Sequence, residues 1–341
     1  MNTKLTARAL LGAAALITVG VGQASAFEPG GATWAQKPGA TLGSAAEAPP
    51  PGMYMIDQVF TYQALTVGPG ANTQPVQHAN VLVSGFLFAP GWTFLGGTYT
   101  AVVVQPWVDF AVGSDPLVGG GGIAKGAVIT GFHNTFINPI QLTWKLGDFG
   151  VVADLGIYVP DGGISGVNGT GGIGSPFWTF QPELRVGYYK DGWAFTANSY
   201  IEINTKNTAS NYTTGDIFHE ELTFTKTFGK WTVGPVAYFV GQVTNDTNGG
   251  NNYNTPFGPL LGNKYSIWAV GGLLAYNFGP ASLTVWAADE VSAHTSGGNA
   301  ALNAISGNVI TKGWTAFATL SYQVWSPQAP AAPKLSSMVT K

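Results

Sequence analysis

Four histidines, His78, His133, His219 and His294, are the side chains best suited to hold a metal or move a proton. None stands at metal-ligand spacing from another His, Asp or Glu, and the chain has no Cys to supply a thiolate. His219 and Glu221 are two residues apart, so on a strand they share one face. That pair is the one candidate for acid–base work. No register places a serine nucleophile beside it, and a structural pair is the simpler reading. The glycine run 119–122 is not followed by a helical pattern, so it reads as a loop and not a phosphate cradle. No catalytic residue, metal or cofactor is expected. A larger polar set recurs with period two instead: Gln105, Asp109, Gln141, Asp154, Gln181, Glu183, Arg185, Asn198, Tyr200, Glu202, His219, Glu221 and Tyr238. Such a row suits lining a lumen better than catalysis.

The elements that position this row are hairpins. Asp191-Gly192 is the pair a type I′ turn prefers, because both central residues need positive φ. Folding the chain about it sets Lys190 opposite Trp193. Gln181, Glu183 and Arg185 then meet Glu202, Tyr200 and Asn198 on one face, and Leu184, Val186 and Tyr188 meet Ser199, Ala197 and Phe195 on the other. Gly147-Asp148, Gly229-Lys230 and Gly279-Pro280 each put Gly first, as a type II′ turn requires. Their registers pair Trp144 with Val151, Gln141 with Asp154, Leu222 with Ala237, Glu221 with Tyr238 and Leu274 with Val285. Turn chemistry and side-chain alternation agree at all four turns.

Composition selects among folds that could hold such hairpins. Only 9% of the 341 residues are charged, 13% are aromatic and 48 are Gly. A soluble domain carries about 25% charged residues. The formal charge is −3, and taking away Lys4 and Arg8 of the first 26 residues leaves 12 basic against 17 acidic, or −5. That balance argues against nucleic acid as a partner.

In chain order, residues 1–26 read as a signal peptide: basic Lys4 and Arg8, an apolar stretch at 9–22, and Ala24-Ser25-Ala26 for cleavage. Residues 27–52 are rich in Pro, Gly and Ala and form an irregular leader or a plug. The composition favours a flexible periplasmic leader, since few residues there can anchor it by burial. Twelve strands follow, at 53–64, 79–89, 97–112, 134–146, 149–159, 176–190, 193–204, 214–228, 231–243, 264–278, 281–293 and 313–325. Residues 53–325 form the barrel and 326–341 a disordered periplasmic tail. Connections alternate long and short, as in an all-β, transmembrane antiparallel β-barrel with long extracellular loops and short periplasmic turns. Trp92, Phe94, Trp144, Phe149, Tyr188, Trp193, Phe228, Trp231, Tyr276, Phe278, Tyr322 and Trp325 crowd the short-turn ends, as an interfacial girdle does.

Some residues resist this scheme. Glu220, Lys226 and Asp289 fall on the outward face, and Lys226 is close enough to a turn to snorkel. Pro106, Pro139, Pro182 and Pro235 each delete a ladder donor, so a bulge or local break is expected at each. Trp107, Tyr200, Tyr238 and Trp286 are assigned inward. Acids outnumber Arg185 in the lumen row, which predicts a narrow, mildly acidic conduit with Arg185 bridging carboxylates of neighbouring strands.

The strings APPPGMYMIDQ, NPIQLTWKLGDFGVVADLGIYVPDG and NYTTGDIFHEELT resemble motifs of a family of outer-membrane proteins involved in the meta-pathway of phenol degradation. The resemblance spans about Ala48 to Trp325. It implies a Gram-negative outer-membrane transporter for hydrophobic or aromatic compounds, with no catalytic residues to carry over. Channels of that broader type can release ligand sideways through a strand kink, which the four strand prolines would suit. The resulting expectation is a passive channel in the bacterial outer membrane, exported by its signal peptide. Its expected partners are membrane lipid, lipopolysaccharide and a small hydrophobic or aromatic solute. The alternatives are a structural or adhesive barrel with a closed lumen, or an outer-membrane hydrolase using His219 and Glu221.

Overall fold

The computed structural model describes residues 34–67, 77–112, 128–164, 172–249, 254–255, 258–259, 264–296 and 310–327. The expected signal peptide, the first residues of the expected leader and nearly all of the expected C-terminal tail lie outside the described residues. Twelve long strands form the wall: β1 (Gly52–Val67), β2 (Gln77–Ala89), β3 (Gly97–Val112), β4 (Phe136–Leu146), β5 (Phe149–Tyr158), β6 (Thr179–Lys190), β7 (Trp193–Asn204), β8 (Ile217–Phe228), β9 (Trp231–Gln242), β10 (Lys264–Asn277), β11 (Ala281–Ser296) and β12 (Ile310–Trp325). Each pairs antiparallel with its neighbours in sequence, and β1 pairs with β12 from Met53↔Trp325 to Val67↔Ile310, which closes the barrel. Closure is what a membrane demands, because an open edge would leave backbone groups unpaired in hydrocarbon.

The four tight turns set the registers read from the sequence. Asp191 and Gly192 both have positive φ (51° and 78°), and Gly147, Gly229 and Gly279 have φ of 66°, 61° and 104°. Lys190↔Trp193, Glu183↔Tyr200, Gln141↔Asp154, Glu221↔Tyr238 and Leu274↔Val285 are all paired. Outward positions carry Leu82, Phe86, Leu155, Leu184, Phe195, Val233, Val270 and Leu320, all exposed. At the tight-turn end aromatics touch across strands, as in Phe149–Tyr188 and Trp231–Tyr276, and Tyr276 also meets Phe278 just beyond the end of its own strand. Lys226 reaches down to the Asp191 carbonyl (2.6 Å) over the Trp193 ring, as a snorkelling side chain does.

Each of the four wall prolines sits in a gap of one of its ladders, and Pro106, Pro182 and Pro235 stay paired on the other side with Val83, Leu155 and Gly272. Pro139 lies between Ile137↔Ile157 and Gln141↔Asp154, and Pro182 between Phe180↔Ile203 and Glu183↔Tyr200. Pro235 lies between Thr223↔Val236 and Lys226↔Val233. Pro106 marks a larger break. Below it β3 pairs with β4, and above it with a short strand, Val128–Phe132. A proline has no N–H to give a ladder, so pairing skips it and resumes beyond.

This architecture predicts a detergent-dependent protein. Purified material should aggregate when detergent is withdrawn and should run differently on denaturing gels before and after boiling. Identical migration, with solubility in plain buffer, would contradict a closed lipid-facing barrel.

Candidate functional site

The lumen is half filled by the chain itself. Residues 34–51, part of the stretch expected to be an irregular leader or a plug, lie against the inner wall. They run down the inside of the wall from near Glu202, close to the long-loop end of β7, to Tyr189 and Lys145 beside the tight turns. This segment has turns but no helix or strand, so most of its N–H groups lack a partner within it. The wall supplies acceptors. Glu202 takes the N–H groups of Ala35 and Gln36, both at 2.8 Å. Glu221 takes those of Gly39 (2.7 Å) and Thr41 (2.9 Å), with the Thr41 hydroxyl at 2.7 Å and the Tyr200 hydroxyl at 2.9 Å. The Gly43 and Ala46 N–H groups go to the hydroxyls of Thr223 (3.1 Å) and Tyr189 (2.6 Å). A buried backbone donor left unpaired costs about 1–3 kcal/mol, so these acceptors decide whether the segment can stay inside.

Two glycines allow the close fit. Gly39 has φ +91° and lies against the Trp286 ring, where a Cβ would come within 2.5 Å. Gly150 on β5 lies under the Ala46 carbonyl, which would stand 1.9 Å from any Cβ added there. Leu42 completes the contact by joining a buried cluster with Tyr238, Leu273, Trp286 and Phe317.

A second carboxylate hub holds the segment's lysine. Glu290 accepts from the hydroxyls of Tyr238 (2.8 Å) and Tyr62 (2.9 Å) and from Gly313 N–H (2.8 Å), and pairs with the Lys37 ammonium at 3.5 Å. Lys37 Nζ also lies 4.3 Å from the Tyr62 ring centre and 5.1 Å from those of Trp34 and Tyr238. Burial pushes the Lys37 ammonium below its ordinary value, and Glu290 pulls it back up.

The other half of the lumen is open. A cavity of about 880 Å³ separates the inner segment from the β1–β5 side of the wall. Its strand side is apolar, with Phe60 of β1, Val81 and Val83 of β2, and Val104, Val108 and Phe110 of β3. One end is polar, where Asp154 accepts from Asn138 (2.8 Å) and Gln141 (3.1 Å), and Arg185 donates to Glu183 and to the Ala45 carbonyl.

The residues expected to line a pore therefore separate into three groups. Gln141, Asp154, Glu183 and Arg185 line the cavity. Gln181, Asn198, Tyr200, Glu202, His219, Glu221 and Tyr238 do point inward, but they are buried behind the inner segment or bound to it. Gln105 and Asp109 face outward, on the same side of β3 as exposed Trp107, which is also misassigned. Gln105 bonds to His133 O (2.6 Å) and Thr135, and Asp109 to Thr130 (2.8 Å), all on the chain that pairs with the upper part of β3 or directly follows that pairing. No two-residue turn fixes β3, so its face was read from polarity, and there polarity is inverted because an apolar cavity lies inside.

The acidic conduit is also corrected. Glu202, Glu221 and Glu290 are occupied by the inner segment, and Glu183 by Arg185, so these acids are structural acceptors more than free wall charge. His219 stacks on Tyr200 with ring centres 4.3 Å apart, and its Nε2 lies 3.3 Å from Glu202 Oε1 without hydrogen-bond geometry. Glu221 already accepts four donors, so it is poorly placed to serve His219 in a dyad. Among the described residues no cluster of three metal-ligating side chains occurs. Lys37, Tyr62, Asn138 and Glu290 are the site residues that sequence reasoning missed. Alternation from inward Trp286 reaches Glu290 in two steps and was a usable signal.

The family model described as "Putative MetA-pathway of phenol degradation" matches residues 63–304. Among solved structures, the COG4313 outer membrane channel from Pseudomonas putida F1 superposes with a TM-score of 0.63 at 10% identity, covering 84% of this chain and 99% of that one. That likeness shows an outer-membrane β-barrel fold. The beta domain of the Bordetella autotransporter BrkA (TM-score 0.43, 13% identity, 80% and 99% covered) and the monoaromatic hydrocarbon channel CymD (0.39, 10%, 81% and 89%) are more distant and carry no argument. No curated protein matches the sequence.

Replacing Glu221 with Leu strands the Gly39 and Thr41 N–H groups, at about 1–3 kcal/mol each. Amide exchange at those two positions should accelerate while that of the β-strands stays slow. Unchanged protection of Gly39 and Thr41 would mean that Glu221 does not hold the segment.

Proposed function

The chain belongs to this phenol-degradation family, and from that premise we propose that it is a channel for passive uptake of small hydrophobic or aromatic compounds across the bacterial outer membrane. The observation that carries the reading is the division of the lumen. Glu202 and Glu221 are bound to the inner segment, Asp154, Glu183 and Arg185 gather at one end of the cavity, and the β1–β3 side of the remaining space presents mainly valine and phenylalanine side chains. An ion or sugar crossing there would lose water without gaining hydrogen bonds along the β1–β3 side. A small apolar or aromatic solute loses little and gains contact. The volume falls within the range of about 300–1,000 Å³ typical of small-molecule sites.

The same reading makes the protein a transporter and not an enzyme, with no cofactor. The signal peptide directs export, and the apolar band sits in membrane lipid with lipopolysaccharide in the outer leaflet. The ladder gaps at the strand prolines are compatible with sideways exit into the bilayer. A closed-lumen structural or adhesive barrel is the second reading, favoured by the inner segment itself.

Flux of toluene and phenol into liposomes carrying the purified protein separates the two. The channel reading expects uptake above protein-free vesicles, at least a several-fold loss in Val104→Glu, and slower growth of a deletion strain on a limiting aromatic carbon source. Equal flux with and without the protein would leave the closed barrel as the better account.

A further inference from the structure

The surroundings of Lys37 have the makeup of a ligand site. Aromatic faces around a cation, closed by a carboxylate, are the standard means of holding an ammonium group away from water. Here Tyr62 of β1, Tyr238 of β9 and Glu290 of β11 provide them, and Trp34 of the inner segment adds a third ring. The fit is loose at the nitrogen. Its contacts to the Tyr238 hydroxyl and to Glu290 are 3.3 and 3.5 Å, against about 2.7–2.9 Å for a tight charge-assisted bond. Glu290 keeps its orientation without the lysine, because the two tyrosine hydroxyls and Gly313 N–H already fix it.

We propose that Tyr62, Tyr238 and Glu290 form an ammonium-binding site in the lumen, and that Lys37 fills it as a tethered ligand that keeps the inner segment seated. A free alkylammonium compound takes the place of Lys37 and releases the segment. A tethered group competes at an effective concentration in the millimolar range, so free amines act at that concentration or above. The inference goes beyond solute uptake and does not depend on it. Its ligand is a cation, whereas the cavity wall suits neutral apolar solutes.

The native chain has no cysteine, which permits a single-site reporter. Leu42 is 5% exposed within the buried cluster, so Leu42→Cys should react slowly with a water-soluble maleimide while the segment is seated. In that background Lys37→Gly should raise the labelling rate at least tenfold, since removing one partner of a buried pair is strongly destabilising. With Lys37 intact, propylammonium chloride should speed labelling, and propanol, of similar size but uncharged, should not. In Lys37→Gly propylammonium should bring no further rise, because an untethered amine cannot seat the segment. Adding Glu290→Gln to the Lys37-containing parent should abolish the response to propylammonium. Lys37→Met keeps the stem and removes the charge. It should fold, label faster than the parent and ignore propylammonium, which keeps the test open if Lys37→Gly fails to fold. Equal effects of propylammonium and propanol, or a response of Lys37→Met to propylammonium, would overturn the proposal. So would labelling of Lys37→Gly no faster than the parent.

Discussion

A chain segment without helix or strand can remain inside a barrel only if the wall accepts its backbone N–H groups. That requirement explains the interior of this protein. Glu202 and Glu221 each take two backbone donors from the inner segment, and Thr223 and Tyr189 take two more. The acids sit on adjacent strands of one side of the wall. They are deeply buried, yet each is matched by several donors, the condition under which a buried carboxylate is tolerated.

Pinning the segment to one side leaves the other side free. The inward positions of β2 and β3 beside the cavity are mostly aliphatic and aromatic, while Gln58 and Tyr62 of β1 turn their polar ends to Ala40, Thr319 and Glu290. One barrel thus presents two interiors, a hydrogen-bonded one that carries the segment and an apolar one that borders open space. The cavity's character follows from this division more than from any single residue. Gly39 and Gly150 make the division possible, because a Cβ at either position would push the segment off the wall and into the cavity.

Much of this was legible in the amino-acid order, and the limits have physical causes. Asp191-Gly192 and the three Gly-first turns fix registers locally, so the strands and faces of β4 to β11 follow from a few residues. The prolines were readable as ladder defects because a missing N–H has the same consequence in any sheet. Gln105 and Asp109 were misplaced because the polar-in rule assumes a polar interior, and in that sector the interior is apolar while their outward side chains bond to the neighbouring stretch 130–135. The inner segment was underestimated because it has few large apolar residues. Its anchorage comes from backbone donors, which every sequence has and composition does not display. Lys37 looked like an isolated charge in a Pro/Gly/Ala stretch, since its partners Tyr62, Tyr238 and Glu290 lie 25, 201 and 253 positions away.

The seating of residues 34–51 against the β6–β9 side of the lumen is the central claim. Thr41 and Asn198 touch there, with Thr41 Oγ1 2.7 Å from Asn198 Nδ2. The most direct measurement is oxidative cross-linking of the Thr41→Cys/Asn198→Cys double variant in isolated outer membranes, read by the migration of the unboiled and boiled protein. The account predicts a rapid, nearly complete disulfide within one chain. Two cysteines that stay unlinked, with the one at 41 freely modified by a bulky water-soluble reagent, would contradict it.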